Sequence, residues 1–259
     1  MTVIATDQWL DKYYFKPVKM CEKLEKYFED ASAEEIYEYL QAHGMYQPYK
    51  EGVKVLDYLQ SKKAWTVITD HYNYLRKKWK GPEIPIFIFP CNTLNKKMSE
   101  EFNGKSGLAF PDKLFLFFSE KNIIEEMKSV LTHEYSHVIR LAKDRSDDLL
   151  HTIILEGLAE ASVLEEHGEK FQAPWTKYYS EEEAQRYWRR FIQKNVYLNR
   201  FDRQHDRLLY GKGLLPRMLG YNIGFHMVKS SIEEKNCHVK DLLSLSNNEI
   251  LRYSRFDLK

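Results

Sequence analysis

Apolar residues recur at helical spacing over the first 80 positions. In "AWTVITDHYNYLRKKW", Trp65, Ile68, Tyr72 and Leu75 fall on one face. "SAEEIYEYLQAHG" opens on Ser32 with Glu35 three residues later, a capping box, and stops at Gly44, where a left-handed residue costs least. "PVKMCEKLEKYF" starts with Pro17 in a first-turn position, which predicts another helix. Residues 1–80 are thus expected to form a helical lobe. The pattern changes at residue 82: "IPIFIFP", "GLAF" and "KLFLFFS" are short β-branched and aromatic runs punctuated by Gly, Pro and Asn, and predict a small sheet between residues 82 and 119.

After Ser119 the helical period returns. Ile123, Met127, Val130, Leu131, Val138 and Leu141 make one stripe, and a second helical stretch, "DDLLHTIILEGLAEASVLEEHG", follows a short polar connection. The rest is helical in pattern, with capping boxes expected at Ser180 with Glu183 and at Ser246 with Glu249. No internal repeat or low-complexity segment interrupts it. The expected class is α+β, with a helical lobe at 1–80 and a second domain at 81–259 that ends in a helical part.

Composition narrows the function. A chain of 259 residues with 43% hydrophobic residues buries a full core, and its net charge of +1 gives no global field to draw in nucleic acid or an anionic membrane surface. Partners have to be found in local sites. The basic cluster Arg76, Lys77, Lys78 and Lys80 around Trp79 ends an amphipathic helix, where cations favour the helix dipole, so it predicts a solvated end and no nucleic-acid contact. The N-terminus lacks a signal-peptide pattern and nowhere do eighteen apolar residues follow one another, so a cytoplasmic protein without a membrane span is expected. Cys21, Cys91 and Cys237 are far apart and without CxxC spacing, and are read as reduced, mostly buried residues.

The chemistry lies in "SVLTHEYSHVIRL", residues 129–141. Four residues along a helix is a rotation of 400°, so His133 and His137 project from one face and can reach a single ion. Neutral histidines suit zinc, and Glu134, one residue from the first of them, can serve as a general base toward an activated water. A catalytic zinc wants a third protein ligand. "ILEGLAE" offers Glu156 and Glu160: if the two helical stretches form a hairpin turning near "KDRSDD", Glu156 comes level with His137 and can close the site. Gly157 would let the two backbones pack closely, and Glu160, one turn further on, could accept the N–H of a ligand histidine. Isolated carboxylates would be costly among Ile153, Ile154, Leu155, Leu158 and Ala161. His151 points about 140° away from Glu156 and is not expected to be a ligand.

HEYSH with the downstream E-G-L-A-E resembles the glutamate-zincin clan of metallopeptidases, whose best-known member is thermolysin. With "GYNIGF" and "NNEILRYS" added, nearly the whole chain resembles the YjaZ-like family of predicted zinc-dependent proteases. The resemblance implies a zincin-like core with the sheet over the HExxH helix, zinc on His133, His137 and Glu156, Glu134 as base and proton shuttle, and Glu160 supporting a ligand. It also implies a peptide or protein substrate paired along an edge strand, for which "SGLAFP", residues 106–111, is the candidate, with an interior strand as the alternative. A His or Tyr from the C-terminal part would stabilise the oxyanion: Tyr221 is the choice, with Tyr210, His205 and His226 as rivals. The expected function is zinc-dependent peptide hydrolysis. The alternatives are a non-catalytic or autoinhibited peptide-binding protein, its site covered by the N-terminal lobe or by "NRFDRQHDRLLYGKG", and a zinc hydrolase of a non-peptide amide or ester.

Overall fold

The computed structural model describes residues 2–257. Its elements, in chain order, are α1 (Thr6–Tyr13), α2 (Pro17–Cys21), α3 (Ala33–Ala42), α4 (Val53–Ser61), α5 (Ala64–Trp79), β1 (Ile86–Pro90), α6 (Lys96–Glu100), β2 (Ser106–Ala109), β3 (Leu114–Phe118), α7 (Ile124–Lys143), α8 (Leu149–His167), α9 (Glu181–Tyr187), α10 (Arg203–Tyr210), α11 (Leu219–Lys235), α12 (Val239–Leu242) and α13 (Asn247–Tyr253). The class is α+β. Contacts divide the chain into two units, Met1–Val138 and Ile139–Lys259, with the division inside α7.

The first unit is built on a three-stranded sheet in the order β1-β3-β2, with β1 parallel and β2 antiparallel to β3. Alternation sorts its side chains. Phe87, Phe89, Phe115 and Phe117 join Leu10, Tyr14, Met20, Cys21, Leu24, Ile36 and Leu40 from the N-terminal helices and the turns that end them in one buried cluster, against which Leu108 and Phe110 pack. The outer side of β1 is bridged by Val3 to Ile86, and the end of the strand by Met45 to Cys91. The open edge is that of β2, which resolves the choice between edge and interior strand.

Helix boundaries follow local chemistry where local chemistry is strong. The Ser32–Glu35, Ser180–Glu183 and Ser246–Glu249 capping boxes are all formed, each with side chain and backbone bonded reciprocally. α5 spans the expected stretch, with Ile68, Tyr72, Leu75 and Trp79 buried. Two expectations are corrected. The helix from Pro17 ends at Cys21, because Lys23 and Leu24 donate to Met20 and Cys21 three residues back; this tighter turn brings fully buried Leu24 onto the side of Cys21. Ile123 is 46% exposed and lies before α7, its N–H capped by Glu126 Oε2, so it does not join the stripe that Met127, Leu131 and Val138 form. All three cysteines are free, and burial pushes the Cys21 and Cys91 thiols up to about 12.

The second unit is helical. α8 and α11 cross at Gly157 and Gly224: a Cβ on Gly157 would overlap the Gly224 carbonyl, and one on Gly224 the Ile153 carbonyl. The close approach at Gly157 is therefore made with α11, which corrects the expectation that it would serve packing against the HExxH helix. Among the described residues no helix is long and apolar enough to cross a membrane.

Candidate metal centre

Tyr135 orients the HExxH segment. Its buried ring lies 6.1 Å from Trp79 and 5.1 Å from Tyr72, and its hydroxyl donates to the Pro82 carbonyl at 2.8 Å. Two residues to either side, about 200° around the helix, His133 and His137 point the other way. Their Nε2 atoms are 3.1 Å apart, with the rings at 88°. Nitrogens held about 2.05 Å from one tetrahedral ion stand about 3.3 Å apart, so this pair has the separation that a shared zinc needs. Helical pitch sets the spacing; Tyr135 and the buried stripe set the direction.

Glu156 offers a third candidate ligand atom. His133, His137 and Glu156 form a group that could hold a metal ion, each offering one ligand atom and all of these atoms lying within 4.8 Å of one another. Two imidazoles and a carboxylate suit zinc, and three protein ligands leave a tetrahedral ion one open position.

Glu134 lies against β2. A Cβ built on Gly107 would meet the Glu134 side chain, at 2.6 Å from Oε1, so only glycine lets the edge strand rest on this carboxylate. The strand is also aimed. The Phe110 N–H bonds the Lys113 carbonyl at 2.9 Å across the turn, and Leu108 pairs with Phe115; by antiparallel alternation Gly107 and Ala109 present their N–H and C=O groups at the open edge.

Within the second unit, the α8–α11 crossing sets Tyr221, one turn before Gly224, beside Glu156, one residue before Gly157. The Tyr221 hydroxyl is hydrogen-bonded with Glu156 and with Tyr210. Burial, then the Glu156 charge, hold its pKa well above the usual tyrosine value, so it stays a protonated donor. Tyr210 stacks on it at 5.6 Å, and Trp175 meets its ring edge-on at 5.2 Å.

The rival histidines are engaged elsewhere. His205 Nε2 is 3.2 Å from Thr152 Oγ1, and His226 Nε2 is 2.9 Å from the Tyr179 carbonyl. Glu160 is buried, with one oxygen accepting the Ala173 N–H at 2.8 Å. His151 belongs to a separate buried network. Asn247 accepts from Arg140 at 2.7 Å and donates to Asp144 at 3.0 Å and to His151 Nδ1 at 3.2 Å, which holds the C-terminal end of α7. Sequence reasoning missed this network and the role of Gly107. Both left a signal: a glycine inside a strand run marks a close approach, and Arg140 is a charge among apolar neighbours.

A family model described as "Predicted Zn-dependent protease (DUF2268)" matches residues 64–252. The chain belongs to this family. Within it, the chain is 40% identical over 211 residues to the "Uncharacterized protein YjaZ" of Bacillus subtilis (strain 168), a match covering 80% of this chain and 81% of that one. The family match starts at the first residue of α5 and takes in the sheet, the HExxH helix, Glu156 and Tyr221. No solved structure matches the chain.

Proposed function

We propose that this family member is a zinc-dependent metallopeptidase with a zincin-like core, in which His133, His137 and Glu156 hold the metal. The convergence of the two Nε2 atoms and the Glu156 carboxylate carries the reading. Bound there, zinc would supply Lewis-acid chemistry, making water acidic and polarising a scissile carbonyl. Glu134, about 100° around α7 from His133, takes the proton of the attacking water and passes it to the leaving amine. The Tyr221 hydroxyl donates to the developing oxyanion, and Tyr210 holds that hydroxyl in place. An extended peptide pairs with the outward groups of Gly107 and Ala109, which lays its backbone beside Glu134. Main-chain pairing gives affinity with little dependence on side chains, so the substrate is a peptide or protein segment in extended form.

The test is metal analysis of the purified chain combined with digestion of a diverse peptide library. About one zinc per chain and chelator-sensitive cleavage are expected. Zinc without cleavage of any peptide would contradict the peptidase reading.

A further inference from the structure

The net charge of +1 conceals a strongly basic stretch. Residues 186–217 carry nine Lys and Arg against two Asp. Their centre is α10, whose buried residues His205, Leu208 and Leu209 define its inner side. Helical geometry then places Arg203 and Arg207 on the opposite, outward side. Arg200, just before the helix, pairs with half-exposed Asp147 at 3.5 Å and remains largely in solvent.

Large apolar side chains stand out at both ends of α10, which carries Arg203 and Arg207 together with Asp206 and its cap Asp202. Phe201, at its N-terminal end, is 84% exposed, and Leu214, at its C-terminal end, is 102% exposed. Leu214 sits at the tip of a loop that closes on itself through Met218 N–H to the Tyr210 carbonyl at 2.8 Å, with Gly211 and Gly213 in left-handed conformations. The loop is thus held in a shape that presents an aliphatic side chain to solvent. Tyr197, at 70% exposure, adds a second protruding ring in the same stretch.

We propose that this face docks on an anionic membrane surface, with Phe201 and Leu214 entering the boundary between headgroups and acyl chains while Arg203 and Arg207 meet lipid phosphates. Charge complementarity selects an anionic partner. The apolar tips select lipid over nucleic acid, because a base can stack on Phe201 but gains little from an isolated leucine, whereas a bilayer takes both. Docking of this kind needs no membrane-spanning helix and is independent of the peptidase reading, since neither metal nor hydrolysis enters it.

The experiment is co-sedimentation of the full chain with vesicles of phosphatidylcholine alone and of phosphatidylcholine mixed with phosphatidylglycerol. Binding is expected only to the mixed vesicles, and should weaken as salt is raised. Phe201→Ser with Leu214→Ser should lower it by about tenfold or more, and Arg203→Gln and Arg207→Gln by about fivefold each. Unchanged melting temperatures would show that these exposed positions leave the fold intact. Failure to sediment with the mixed vesicles would overturn the proposal. So would vesicle binding indifferent to Phe201 and Leu214, or a tighter, equally indifferent binding to single-stranded RNA, either of which would reduce the face to a charge contact.

Discussion

Gly107 and Glu134 touch: the edge strand has no side chain where the carboxylate lies, and a Cβ there would stand 2.6 Å from Glu134 Oε1. Gly107→Ala should therefore push the carboxylate aside. We expect peptide hydrolysis to fall by about 100-fold, the cost of misplacing a reacting group by about 1 Å, with zinc content unchanged and a stability loss of about 1–3 kcal/mol from overpacking. Wild-type turnover by Gly107→Ala would separate Glu134 from the chemistry.

Ala109 presents its N–H at the open edge of β2, two residues beyond Gly107. Ala109→Pro removes that donor and leaves the pairing with β3 intact. KM should rise by about 2–10-fold, the worth of one hydrogen bond, with little change in kcat or zinc content. A KM equal to that of the wild type would place the substrate elsewhere.

His133→Ala, His137→Ala and Glu156→Ala should each lose zinc to a chelator that the wild type withstands, as measured by metal analysis after dialysis. Tyr221→Phe should keep the metal and lower kcat by about 100–1,000-fold, because its hydroxyl adjoins Glu156 and is the oxyanion donor in this scheme. Loss of zinc from Tyr221→Phe would instead make that hydroxyl a support for the Glu156 ligand.

Burial lowers the pKa of His151 in the fold, an effect that nearby Asp144 only partly offsets. Above its ordinary value of about 6.5 both folded and unfolded forms are neutral and the network is at full strength. As pH falls below that value the unfolded chain takes up the proton first, so stability declines, by at most about 1.4 kcal/mol per pH unit from this group. Denaturant titrations between pH 7 and 5 should show a shallower decline in His151→Gln than in the wild type. An identical slope would mean that His151 protonates alike in both states.

Local rules made much of this protein legible. The three capping boxes, α5, the three strands and the clip of His133 and His137 each depend on residues within a few positions of one another. The contact of Gly107 with Glu134, the crossing of Gly157 on Gly224 and the Asn247 network depend on segments 27, 67 and more than 90 residues apart. No periodicity encodes such pairings; they come from which faces must be buried together. The early end of α2 has the same origin, since burial of Leu24 outweighs a helical pattern that continues past it. Glu156 was reachable from sequence because carboxylates on an apolar segment demand a partner, whereas the bond between Tyr221 and Glu156 required the α8–α11 crossing.

Glu134 tests the central claim most directly. Glu134→Gln keeps the size of the side chain and its place beneath Gly107 but removes the basic lone pair. Zinc content and melting temperature should match the wild type, while kcat for peptide hydrolysis should fall by about 100–10,000-fold or more, because proton uptake and proton delivery fail together. Full activity in zinc-loaded Glu134→Gln, measured on a peptide that the wild type cleaves, would contradict the proposed mechanism.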